Sequence, residues 1–244
     1  MGDLIVGRIT TVDSKRWKVD IASHRDAVLQ LSSINLPDGV QRMRTYDDQL
    51  SMRTLFVEND LISAEIQNIN SDGIISLHAR SLKYGKLENG QLIIVPSVLI
   101  RRLPQHYVSL SYGIDVIIGL NGYVWISRTI PEEWKTINGD IDDVLDEIAP
   151  LAETLQRIRV KHRETSLTYD ERLKVARTRN IINALAKVRH HITPDSIEAA
   201  YARSMELNLT PMVHHLPIYL PTYLSTYLPT YITHVQLSQV NICI

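Results

Sequence analysis

The stretch Leu61-Ile62-Ser63-Ala64-Glu65-Ile66-Gln67-Asn68-Ile69-Asn70-Ser71-Asp72-Gly73-Ile74-Ile75-Ser76-Leu77-His78 decides the fold. Two apolar-rich runs, 61–69 and 74–78, flank Asn70-Ser71-Asp72-Gly73. Asp-Gly supplies the backbone freedom a tight turn needs, so the stretch predicts a β-hairpin. Toward the N-terminus, Leu4, Val6 and Ile9 to Val12 form a β-type run around Gly7. Trp17, Val19 and Ile21 alternate with Lys18 and Asp20, the period of a half-buried strand. Ala27 to Leu31 is a third short run. Pro37-Asp38-Gly39 marks a turn, and a polar, helix-compatible insert runs from Gln41 to Phe56. Five short strands and one helical insert within residues 1–83 predict an OB-type barrel.

Toward the C-terminus, Ser81-Leu82-Lys83-Tyr84-Gly85-Lys86-Leu87 leads to an apolar strand, Leu92 to Val95. Pro96, Val98 to Leu103 with Arg101-Arg102, and then Val116-Ile117-Ile118-Gly119-Leu120-Asn121-Gly122-Tyr123-Val124-Trp125-Ile126 follow. Gly119-Leu120-Asn121-Gly122 has the GxxG form of the loop that clamps a nucleic-acid backbone in KH domains. Its flanks are β-branched and aromatic, and its middle pair carries no basic residue. It therefore reads first as a structural hairpin and second as a clamp. Leu151, Leu155 and Ile158 follow helical spacing. Thr168 with Glu171 is a capping box ahead of Leu173, Ala176, Ile181, Leu185 and Val188. Thr193-Pro194 opens a third helix, with proline at its first position. The predicted class is α+β: a five-stranded OB-type barrel (1–83), a KH-like α/β domain with C-terminal helices (84–205), and a tail (206–244).

Composition narrows the function. A formal net charge of −1 announces no nucleic-acid partner by bulk charge, yet a basic face can hide inside a neutral total. Residues 150–205 carry 11 Lys and Arg against 6 Asp and Glu. The stretch 131–149 is acidic; Glu132, Glu133, Asp140, Asp142, Asp143, Asp146 and Glu147 lack metal-loop spacing and read as a solvated linker. The lone cysteine, Cys243, excludes a disulfide within the chain and argues against a Cys-based zinc site. No long apolar stretch predicts a membrane helix, so no membrane partner is expected. No Ser-His-Asp order, phosphate loop or zinc spacing stands out, so neither catalytic residues, metal nor cofactor is expected. Residues 216–231 repeat a Leu-Pro-Thr-Tyr-like unit, read as a disordered or artefactual extension.

OB-type barrels bind single strands with aromatic platforms and basic side chains. The candidates here are Arg16, Trp17, Lys18, His24, Arg25, His78 and Arg80. For Trp17 the competing reading, core packing, comes first.

Taken together, Gly7-Arg8-Ile9, Arg16-Trp17-Lys18-Val19, Leu31-Ser32-Ser33-Ile34-Asn35-Leu36-Pro37, Ser71-Asp72-Gly73, Ser76 to Leu87, Gly119 to Gly122 and Trp125-Ile126 resemble the ribosomal-RNA-processing-4 family of RNA exosome cap subunits. The resemblance covers residues 2–205. It implies a non-catalytic subunit that caps a ring of RNase PH-type subunits beside other cap subunits. Such a subunit guides single-stranded RNA into a 3′-to-5′ degradation channel, in nucleus, nucleolus and cytoplasm. Family members carry a further N-terminal β domain, which this chain is expected to lack. The other readings are an OB–KH adaptor linked to translation, and a nuclease in its own right.

Overall fold

Alternating apolar and polar residues build the first sheet. The computed structural model describes residues 2–35, 43–81, 83–130, 157–158 and 160–208. Strands β1 (Leu4–Val12), β2 (Arg16–Asp20) and β3 (Ala27–Ile34) form an antiparallel meander. Two short helices follow, α1 (Tyr46–Leu50) and α2 (Met52–Leu55). Strands β4 (Leu61–Ile69) and β5 (Ile75–Ala79) then make the hairpin around Asp72-Gly73. β5 runs parallel to β3, and β1 pairs with β4 from Leu4–Glu65 to Arg8–Leu61. That last pairing closes the five strands into a barrel. Register shifts on β1 and β4 mark bulges, which sharpen the coiling that closure requires. The inward residues Val6, Ile9, Trp17, Val19, Leu29, Ile62 and Leu77 are all buried, with Met52 and Phe56 from the helical insert packed among them.

The chain stays on the barrel's sheet past residue 83, because β6 (Gly85–Leu87) pairs with β4. A second sheet follows, made of β7 (Gly90–Ile94), β8 (Tyr107–Leu110), β9 (Ile114–Ile118) and β10 (Tyr123–Arg128). Its order is β7-β10-β9-β8, antiparallel throughout. Helices α3 (Tyr169–Lys187) and α4 (Pro194–Glu206) cover one face. Val116, Ile118, Val124 and Ile126 pack on Ile181, Ile182, Leu185 and Ile197 there. Ile117, Tyr123 and Trp125 point the other way and join the barrel's core. The sheet is thus buried on both faces, which explains why residues 116–126 are almost continuously apolar.

Both capping signals form as expected. The Thr168 amide donates to Glu171 Oε2 at 2.7 Å, and the Glu171 amide donates back to Thr168 Oγ1 at 3.3 Å. Thr193 and Ser196 repeat the arrangement ahead of α4, with Pro194 in its first turn. Buried Arg128 ties the preceding segment down, donating to the carbonyls of His162 and Thr165 and facing Glu171 at 3.6 Å. The architecture is α+β: closed barrel, KH domain, C-terminal helices. The acidic stretch from Glu132 to Glu147, the helical positions Leu151 and Leu155, and the tyrosine repeat lie outside the described residues.

Candidate nucleic-acid interface

Strand pleating sorts the sequence candidates. On β2, Val19 and Trp17 point inward, so Arg16 and Lys18 stand on the outer face. Trp17 is fully buried, donates its indole N–H to the Phe56 carbonyl at 3.2 Å, and meets the Phe56 ring edge-on at 5.3 Å. No face of the ring is left for a base, so Trp17 is removed from the RNA candidates. Its place in a period-two strand carried the signal, since Val19 and Ile21 share its side.

Arg16 is exposed and shares Asp13 through a 3.1 Å contact, an ion pair weak enough for a phosphate to displace. Lys18 lies opposite Val28, which in turn lies opposite Ser76. That row crosses three strands without a carboxylate. His24 and Arg25 sit elsewhere, in the exposed loop between β2 and β3, where Arg25 donates to the Asp72 carbonyl at 3.2 Å. His78 is half-buried on β5, opposite Glu65. Arg80 is exposed just beyond β5, with its carbonyl taken by the Asn35 amide. The structure therefore gathers Arg16 and Lys18 on one sheet face, but sets His24 and Arg25 at the loop end of the barrel.

The glycine loop is a different object from a backbone clamp. Gly119 N–H donates to the Tyr123 carbonyl and Gly122 N–H to the Gly119 carbonyl, so Gly119-Leu120-Asn121-Gly122 is the tight turn between β9 and β10. Gly122 has φ +95, a conformation that favours glycine. The turn is docked into the barrel. Leu120 N–H donates to the Leu4 carbonyl at 3.0 Å. The Asn121 amide donates to the carbonyls of Val6 at 2.8 Å and Ile21 at 3.0 Å, while its oxygen accepts from Val6 N–H at 3.4 Å. A side chain at Gly119 would put its Cβ 2.6 Å from the Tyr123 carbonyl and 3.0 Å from Val6 N. The turn and the barrel take the N–H groups of Gly119, Leu120 and Gly122 and the Asn121 side chain, which favours the hairpin reading of these four residues over the clamp.

A basic and aromatic grouping absent from the sequence expectations forms where the two domains meet. Lys83 Nζ lies 5.3 Å from the Tyr84 ring centroid and 5.9 Å from that of Tyr107. Tyr84 donates its hydroxyl to Glu65 at 2.7 Å; burial, then this bond, pushes its pKa up. Lys83-Tyr84 was visible as a basic–aromatic pair, but Tyr107 reaches it only through the fold.

A family model described as the S1 domain of RRP4 matches residues 1–68, and a KH domain model matches residues 90–132. The chain is 40% identical over 205 residues to exosome complex component rrp4 of Schizosaccharomyces pombe, covering 84% of this chain and 60% of that protein. It is 41% identical over 205 residues to the RRP4 exosome component of Bos taurus, covering 84% and 63%. With the Arabidopsis thaliana homolog it shares 39% over 198 residues, covering 81% and 59%. The chain thus spans about three-fifths of the length of the curated relatives it matches.

Proposed function

We propose, from the premise that this chain carries the S1 and KH domains of the Rrp4 exosome components, that it is a non-catalytic, RNA-binding cap subunit of an RNA exosome. Its partners are single-stranded RNA, RNase PH-type ring subunits and the other cap subunits. It works in nucleus, nucleolus and cytoplasm, on RNA processing and 3′-to-5′ degradation.

The observation that carries the RNA reading is the outer face of β2. Arg16 and Lys18 project from it as neighbours on one side of the pleat, Arg16 opposite Gln30 and Lys18 opposite Val28, which in turn faces Ser76. Such a face tracks a phosphate backbone without reading bases, which suits a subunit that guides many RNAs. The buried hairpin dock supports a bracing role. It joins the second sheet to the barrel through the hydrogen bonds of Leu120 and Asn121 and the shared core of Ile117, Tyr123 and Trp125.

Affinity purification of the full chain followed by subunit identification tests the assembly. Recovery of ring subunits is the expected result; ribosomes without ring subunits would point to the translation-linked adaptor. Incubation with end-labelled RNA and magnesium or phosphate tests the non-catalytic role. Robust turnover by the purified chain would overturn it.

A further inference from the structure

Burial of Trp17 leaves the outer face of β2 without an aromatic platform. Stacking on aromatics is half of how single strands are held without sequence preference. Aromatic and basic groups come together elsewhere, in an open cleft of about 510 Å³ between the start of the barrel and the segment ahead of β8. We propose that this cleft holds one nucleotide of a single-stranded RNA, its phosphate on Lys83 and Arg102 and its base against Tyr107 and Leu103. The inference rests on the RNA-binding reading above and adds a site to it.

The volume lies within the range of small-molecule sites. Its chemistry is divided in the way a nucleotide is divided. Lys83 is exposed and held over two tyrosine rings, with no carboxylate in ion-pair range among the described residues. Arg102 is 67% exposed and pairs with Asp3 through one nitrogen, Nη2. A guanidinium has five N–H donors in a planar fork, so donors remain for a phosphate.

The walls are already fixed. Tyr107 donates its hydroxyl to the Lys83 carbonyl at 3.2 Å, and Tyr84 is held by Glu65. His106 Nδ1 lies 2.9 Å from the Ile118 carbonyl, and Nε2 accepts from Leu103 N–H at 3.2 Å. A carbonyl accepts and an amide N–H donates, so this imidazole is the neutral Nδ1–H tautomer. Neutral His106 therefore shapes the 103–106 wall rather than supplying charge. A ligand entering such a site orders few side chains, which lowers the entropic cost of binding.

The test is photocrosslinking of the full chain to a short oligouridylate bearing 4-thiouridine, with the crosslinked peptides mapped by mass spectrometry. Crosslinks within 83–84 or 102–107 are expected. The double variant Lys83→Ala, Arg102→Ala should lose them and bind the oligomer about tenfold more weakly. Crosslinks confined to β1–β5, with unchanged affinity in the double variant, would overturn the cleft while leaving RNA binding intact. No saturable binding by the unaltered chain would overturn the RNA-binding reading itself, and the cleft with it. Mapping on the unaltered chain decides the matter even if the double variant fails to fold.

Discussion

Asn121 is the residue on which the relation between the domains turns. Its amide satisfies two barrel carbonyls, those of Val6 and Ile21. Asn121→Ala removes both donors and should lower stability by about 2 kcal/mol, since unmet part-buried acceptors keep their desolvation cost. Urea denaturation measures it; an unchanged midpoint would mean that the dock contributes nothing. Trp17 is the corresponding anchor inside the barrel. Trp17→Ala leaves a large cavity and strips the donor from the Phe56 carbonyl, so a loss of about 4 kcal/mol is expected in the same assay. Two histidines give acid sensitivity. Burial holds His106 below the ordinary value of 6.5, and Arg102 adds to that; burial and then Arg128 do the same to His162. Above 6.5 both are neutral, folded or unfolded, and their contribution is fully present. As pH falls below 6.5 the unfolded chain takes up protons that the folded chain refuses, so stability drops until the lowered folded values are passed. Thermal melts at successive pH values should show the midpoint falling on acidification below 6.5. A flat profile would contradict the placement of both rings.

At the scale of elements, β2 and the 116–126 hairpin show how one strand serves two surfaces. β2 gives its inner side to the barrel core and its outer side to Arg16 and Lys18. Replacing both with alanine should leave folding intact, because neither side chain is buried. If each neutralises one phosphate, the slope of log affinity against log salt for oligouridylate should fall by about 0.7 for every phosphate no longer held. Fluorescence anisotropy across a salt series reads that slope; an unaltered slope would remove β2 from the RNA surface. Helix α3 depends on its first turn in an independent way. Thr168→Ala breaks the capping box and should cost about 1 kcal/mol, seen as a lower urea midpoint with no change in RNA affinity.

The described residues set one sheet between a barrel and the helices α3 and α4, and this arrangement separates what was legible from what was not. Period-two alternation in 17–21, Asp72-Gly73, and Thr168 with Glu171 each act over a few residues. The chain itself therefore determined the barrel strands, the hairpins and the helix starts. It also determined the family likeness, because that is carried by the order of residues along both domains. Where each side chain points once strands curl and domains dock is a different matter. The glycine loop has the same four residues whether it clamps RNA or packs on a barrel. The fold chose the barrel, because β1 passes close enough for Leu4, Val6 and Asn121 to share hydrogen bonds across more than a hundred residues of chain. Lys83, Arg102 and Tyr107 likewise form a cleft only after β6 has crossed the barrel and β8 has turned back toward it. Local stereochemistry acts between sequence neighbours and can be read from them; a site assembled from distant segments depends on packing, which only the tertiary structure decides.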